Sequence, residues 1–172
     1  MDWRDRYERA AARYAAGETR EPDERQLVQL ANAAWAAGLS LLMAGDREGA
    51  AEWLRRSAER YRESWNAGEA TDAWGRPIGV MKALLIAGED ATEAARWSLE
   101  TCLGARHQDM SVSPVGRYVA VLALLVLDCD EEAGVVAAIQ DSFVNREAFL
   151  EDMPVADTVL ALDALAASRG LA

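Results

Sequence analysis

Apolar residues recur every three or four positions along most of the chain, and this spacing predicts amphipathic helices. The clearest helix covers residues 47–67, and Asp46 is expected to cap it by accepting a backbone amide hydrogen bond. One face of this helix is expected to pack in the core through Ala50, Trp53, Leu54, Ser57, Tyr61 and Trp65. The opposite face carries two i,i+4 pairs of opposite charge, Glu52 with Arg56 and Arg55 with Glu59.

Glycine, proline and acidic residues divide the rest of the chain into further helical segments. A first helix is predicted over residues 2–16, stopped by Gly17, and a second over residues 22–44, with Pro22 as its first helical residue. Pro77 is placed at the start of the fourth helix, because a proline in a helix interior costs about 3 kcal/mol. The later helices are predicted within residues 77–87, 88–104, 113–127, 131–150 and 154–168. Eight helices and no convincing strand make the predicted fold all-α.

Composition agrees with an all-α fold. Hydrophobic residues make up 51% of the 172 residues but aromatic residues only 7%, because alanine is abundant, and valine and isoleucine are sparse before residue 110. Such a composition favours helices that pack closely through small side chains. A chain of this length fits one domain with a sizeable core, so residues 1–172 are predicted to form a single α-helical repeat domain.

Similar turns recur along the chain and group the helices into pairs. The turns lie at residues 45–46, 88–90 and 128–130, about forty residues apart, which is within the range of helical repeat proteins. They define helix pairs over residues 22–68, 72–104 and 113–150. The helix at 2–16 precedes these pairs, and the helix at 154–168 is predicted to cap them.

The first turn and the helix after it carry a pattern of glycine, acid, small and large residues: Gly45, Asp46, Ala50, Leu54 and Ser57. With Gly38 in the preceding helix, this stretch resembles a tetratricopeptide repeat over residues 29–63, although Ala34 and Leu41 stand where that family has large aromatic residues. The resemblance implies a right-handed, tetratricopeptide-like superhelix of antiparallel helix pairs. It also implies a concave groove that binds a protein or peptide.

The resemblance also indicates which residues would line the groove. These residues are Asn32, Trp35, Arg76, Arg117 and Tyr118. Asn32 and Trp35 lie six and three residues before Gly38, and Arg76 lies three residues before Gly79. Arg117 and Tyr118 lie in the equivalent region of the third pair. Arginine forks and flat aromatic rings could bind a carboxylate or an acidic peptide. The family's carboxylate clamp is matched only at Asn32. Alternatively, Trp35 and Tyr118 belong to the core and the arginines pair with acids of this chain.

The net charge of −11 excludes some classes of partner. Eleven acidic residues and three arginines follow His107, so the last third of the chain is strongly acidic. Nucleic acids and anionic membranes would be repelled by such a surface. A solvated surface explains these acids most simply. The alternative is a small regulatory or immunity-type inhibitor that binds a partner through Asp128, Asp130 and Glu131.

Motifs for catalysis are missing from the sequence. His107 is the only histidine and lies in a polar stretch, and no phosphate-binding loop or metal-ligand spacing occurs. Cys102 and Cys129 are expected to be reduced and buried. The sequence therefore predicts a protein that is not an enzyme and holds no cofactor or metal. An all-α enzyme or small-ligand binder would need a deep, enclosed pocket with converging polar groups.

The cellular location and assembly are predicted from the apolar segments. Residues 1–11 are charged, unlike a secretory signal, and the apolar run at 118–127 is about half the length that spans a bilayer. The chain is therefore predicted to be cytoplasmic. The aromatic residues Trp53, Tyr61, Trp65, Trp74 and Trp97 are expected in the core, and any left exposed would mark an interface, including that of a homodimer.

Overall fold

The computed structural model describes residues 2–68 and 75–103, which form five helices and contain no strand. The helices are α1 (Trp3–Gly17), α2 (Glu24–Met43), α3 (Arg47–Ala67), α4 (Gly75–Ala87) and α5 (Thr92–Leu103). The all-α prediction is confirmed for this part of the chain. The helices predicted at 113–127, 131–150 and 154–168 lie outside the described residues.

Three helices begin at different residues from those predicted: α1 begins at Trp3, one residue later, because Asp2 is its cap, and α2 and α4 also differ. Helix α2 begins at Glu24, after a reciprocal capping box in which Gln26 N donates to Asp23 Oδ1 at 2.7 Å and Asp23 N donates to Gln26 Oε1 at 2.9 Å. Pro22 therefore precedes the cap. Helix α4 begins at Gly75, so Pro77 lies in its first turn, where no amide needs an intrahelical acceptor.

Helix α3 has the predicted bounds, and Asp46 Oδ1 accepts a hydrogen bond from Gly49 N at 3.0 Å. Of its two predicted ion pairs, that between Arg56 and Glu52 is present. Arg55 has a different partner, because its Nε donates at 3.0 Å to Glu89 in the turn after α4. The ion pair between Arg55 and Glu89 therefore links the α2–α3 pair to the α4–α5 pair.

Consecutive helices pack against each other in opposite directions. Arg6, near the start of α1, donates at 2.8 Å to the carbonyl of Ala36 late in α2, whereas Tyr14, near the end of α1, packs against Leu30. Helices α2 and α3 are antiparallel in the same way, and the hydroxyl of Ser57 donates to the Ala31 carbonyl at 2.9 Å.

Alternate helices lie side by side and run in the same direction, in two layers. In one layer α3 has α1 and α5 as neighbours, through the ring contacts Tyr7–Trp53, Tyr14–Trp53 and Trp65–Trp97. In the other layer α2 and α4 are joined by the ion pair Glu24–Arg76 and by Lys82 over the Trp35 ring. The two described helix pairs therefore stack first helix beside first helix and second beside second.

Helix α2 is at the centre of this arrangement. Every residue from 33 to 41 is buried, and four of these nine residues are alanine, as expected for a helix enclosed by α1, α3 and α4. At Gly38 a Cβ atom would lie 2.8 Å from Leu54 Cγ, so the absence of a side chain there lets α2 and α3 approach closely.

The turns that end α2 and α4 have the same hydrogen bonds. Gly45 N donates to Leu42 O at 3.0 Å, and the following amide donates to Leu41 O at 2.9 Å. The equivalent bonds join Gly88 N to Leu85 O and Glu89 N to Leu84 O. Gly45 and Gly88 both have left-handed backbone angles, with φ of 87° and 78°, so both turns are Schellman motifs that need glycine.

The second helices of the two pairs also share a pattern of buried positions. In each of these helices an alanine and a serine are at most 1% exposed: Ala50 and Ser57 on α3, and Ala94 and Ser98 on α5. Small buried residues therefore recur in the second helix of each pair.

Candidate functional site

Trp35 does not line an open groove. Its side chain is 3% exposed and packs with Leu39 and Met81 in the main core cluster, and Lys82 Nζ lies 4.5 Å from its ring centroid. The expectation of an accessible Trp35 is corrected by this burial. The alternative reading, that Trp35 is a core residue, fits the structure.

Asn32, in the third turn of α2, and Arg76, at the N-terminal end of α4, keep part of their surface accessible. The Asn32 side chain is half-buried, and its Oδ1 accepts a hydrogen bond from the hydroxyl of Tyr61 on α3. Arg76 is 14% exposed and forms an ion pair with Glu24, which is 39% exposed. The Nε of Arg76 is buried and has no hydrogen-bond partner.

An open groove of about 490 Å³ lies between the N-terminal ends of α2 and α4. It is lined by Asp23, Glu24, Arg25, Val28 and Arg76, and is called the α2–α4 groove below. Arg25 and Gln29 are exposed and Val28 and Asn32 half-buried, so one face of the first half of α2 is accessible. The buried central part of α2, where Trp35 lies, does not reach this groove.

The two glycines used to place the groove are not structurally equivalent. Gly38 faces Leu54 on α3, the helix that follows α2. Gly79 also faces α3, but here α3 precedes: a Cβ atom on Gly79 would lie 2.5 Å from Cε2 of Tyr61. Counting back from each glycine therefore reaches different environments, a buried one at Trp35 and a partly accessible one at Arg76.

The other predicted binding residues cannot be placed by this structure. Arg117 and Tyr118 of the predicted groove lie outside the described residues. The same is true of the alternative acidic surface, formed by Asp128, Asp130 and Glu131.

Comparison with protein-family models, with curated proteins and with solved structures finds no match to this chain.

A second cleft lies between α3 and α5, and it is bordered by two tryptophans that were predicted to lie in the core. Trp65 and Trp97 are each only half-buried and meet edge to face, with centroids 5.0 Å apart and ring planes at 88°. The cleft is open, with a volume of about 520 Å³. Polar residues that lie near the two tryptophans in the sequence also line the cleft: Arg62, Asn66, Glu93, Arg96 and Glu100. These polar neighbours are the sequence feature that could have indicated an exposed site.

Among the residues that the structure describes, two titratable groups have pKa values shifted by their neighbours. A hydrogen bond to Glu63 raises the pKa of Arg60, against the opposing effect of partial burial, and the Tyr14 hydroxyl adds a further bond at 3.0 Å. Hydrogen bonds from Thr92, and then the charge of Arg96, hold the pKa of Asp90 below its usual range. Both perturbations are explained by helix capping and ion pairing.

The described residues contain neither a cluster of metal-ligating side chains nor a membrane-spanning helix. Across residues 2–68 and 75–103, no three His, Cys, Asp or Glu side chains come together in a way that could hold a metal ion. No helix in this part of the chain has the length and apolar character needed to span a bilayer.

Proposed function

We propose that this protein is a non-catalytic scaffold that binds a protein or peptide along the α2–α4 groove. The observation that carries the proposal is the parallel arrangement of the two first helices, which leaves an open polar groove between their N-terminal ends. Repetition of the turns and of the buried positions supports an array of stacked helix pairs. We further propose that the remaining helices continue this array into a right-handed, tetratricopeptide-like superhelix.

The charges of the groove favour an acidic group on the partner. The carboxylate of Asp23 accepts the amide of Gln26, and that of Glu24 pairs with Arg76. Within the described residues Arg25 is exposed and forms no ion pair. A carboxylate in the groove could therefore accept hydrogen bonds from the guanidinium of Arg25, which the fold leaves unused.

The experiment is affinity capture from a lysate of the source organism, followed by calorimetric titration of the enriched partner. We expect Arg25→Ala to weaken binding roughly tenfold or more, because a hydrogen bond to a charged group contributes about 1.5–3 kcal/mol. Arg47→Ala, which removes an exposed arginine from the first turn of α3, is the matched control and should leave affinity unchanged.

Equal affinities of the Arg25→Ala variant and the native protein would place the binding surface elsewhere. A partner that is chemically converted during the titration would contradict the non-catalytic assignment. Trp35→Ala is unsuitable here, because truncating a buried tryptophan costs about 3–5 kcal/mol and would disturb the fold itself.

A further inference from the structure

The tryptophans of the described residues differ in what covers their rings. Arg6 lies 6.0 Å from the Trp3 centroid, Lys82 lies 4.5 Å from that of Trp35, and Arg56 lies 4.8 Å from that of Trp53. Among the described residues, no cation lies over Trp65 or Trp97, although two arginines line the same cleft. Apart from the face covered by their edge-to-face contact, the half-buried rings of this pair have no cation over them among the described residues, and their exposed parts can contact a cation of a partner.

Arg62 and Arg96, the two arginines of the cleft, each interact with an acidic residue of their own chain. Arg62 lies 3.9 Å from Glu93, whose side chain is nevertheless 90% exposed, so this pair is loose and screened by water. Arg96 is close enough to Asp90 for its charge to act on that carboxylate. Glu100 is then the acid of the cleft that has no ion pair within the described residues.

Trp97 and the two glutamates occupy one face of α5. Glu93, Trp97 and Glu100 follow each other at intervals of four and three residues, which places them in one row along the helix. The row combines a flat aromatic surface with two exposed carboxylates. A cation that stacks on the indole can therefore also reach a carboxylate.

We propose that the cleft formed by Trp65, Trp97 and Glu100 binds an arginine side chain of a partner protein. The guanidinium stacks on an indole and donates hydrogen bonds to Glu100. Arginine suits this surface better than lysine, because its plane stacks on aromatic rings and its forked donors match a carboxylate. The net charge of −11 also attracts basic partners over several ångströms.

The test is a titration of the full chain with a capped glycine–serine peptide that contains two arginines. Its matched control peptide has citrulline, which keeps the shape but removes the charge. Binding is followed by NMR through the indole N–H resonances, with those of the cleft assigned by Trp65→Phe and Trp97→Phe. We expect the arginine peptide to shift these two resonances in a saturable way and the citrulline peptide to leave them unchanged.

Two charge variants locate the binding. Glu100→Gln should weaken the arginine peptide about threefold to fivefold, as expected for one exposed charge pair. Glu8→Gln removes the same charge from an exposed position on α1 and should have no effect. Equal shifts with citrulline, equal weakening by the two variants, or no shift at all would overturn the proposal. None of these results depends on Arg25, so a failure of the α2–α4 groove would be recognised separately.

Discussion

The ring of Tyr61 on α3 packs directly against Gly79 of α4. A Cβ atom at position 79 would be 2.5 Å from Cε2 of the ring and 2.8 Å from its Cζ. The hydroxyl of the same ring donates to Asn32 on α2. Tyr61 therefore contacts both first helices, α2 through its hydroxyl and α4 through its ring, and these contacts fix the position of the ring.

We expect Gly79→Ala to lower the free energy of unfolding by about 1–3 kcal/mol, because the ring is held in place and cannot yield to the added methyl group. Alanine favours a helix by about 1 kcal/mol over glycine, so the loss measures the contact and not helix propensity. Urea unfolding followed by circular dichroism provides the measurement.

Gly75→Ala is the control for this substitution. It lies in the same helix, and a Cβ atom there would meet nothing within 4 Å. Its stability should be unchanged or slightly higher. Equal destabilisation at the two positions would mean that the ring contact is not responsible.

The two Schellman turns should respond alike to loss of glycine. Gly45→Ala and Gly88→Ala should each destabilise the protein by about 1–2 kcal/mol, because both residues have positive φ. No atom lies within 4 Å of a Cβ at either position, so backbone strain is the only expected cause. Thermal unfolding of these variants, and of Gly45→Asn, tests this. Asparagine tolerates the left-handed region and should recover part of the loss.

Ser57 and Ser98 are both fully buried, yet they should differ in their effect on stability. The hydroxyl of Ser57 donates to Ala31 O of another helix at 2.9 Å, whereas that of Ser98 donates to Ala94 O of its own helix at 2.7 Å. Ser57→Ala should cost about 1 kcal/mol. Ser98→Ala should be near neutral, because alanine favours the helix. Chemical denaturation compares the two, and a larger loss at Ser98 would contradict the argument.

Asp90 should contribute a pH dependence to stability. Its Oδ1 accepts the Thr92 amide at 2.9 Å, and the hydrogen bonds from Thr92 hold its pKa below the ordinary value. A carboxyl with a lowered folded pKa stabilises the protein above its unfolded pKa, and this contribution is lost as pH falls through the folded pKa. Native protein should therefore be more stable than Asp90→Asn at pH 7, and the difference should shrink below about pH 4. Thermal unfolding across this pH range provides the measurement, and a constant difference would contradict the assignment.

Features set by neighbouring residues could be predicted from the sequence. The bounds of α3, the cap at Asp46 and the turn at Gly45 depend on hydrogen bonds that span at most five residues. The start of α2 was misplaced by two residues, because the Asp23 and Gln26 capping box fixes the first turn more strongly than Pro22 does. That box is itself a local pattern that the sequence contains.

The candidate site was predicted only in part. Arg76 lies in the α2–α4 groove and Asn32 on the accessible face beside it, but Trp35 is buried against Lys82. Helix periodicity identifies the face on which an aromatic residue lies but not what packs against that face. Trp97 packs against the main core cluster, as predicted, but together with Trp65 it also borders an open cleft.

The sequence by itself determined that residues 2–68 and 75–103 contain helices and no strand, and where their two tight turns lie, because helix stripes, caps and positive-φ glycines act within a few residues. Only the tertiary structure decided that α2 is enclosed and which charges cross between helix pairs. Arg55 takes Glu89 as its partner, not Glu59 one turn away, because stacking brings the more distant carboxylate within 3.0 Å. Accessibility and long-range pairing depend on how the helices stack, and a one-dimensional pattern does not encode that arrangement.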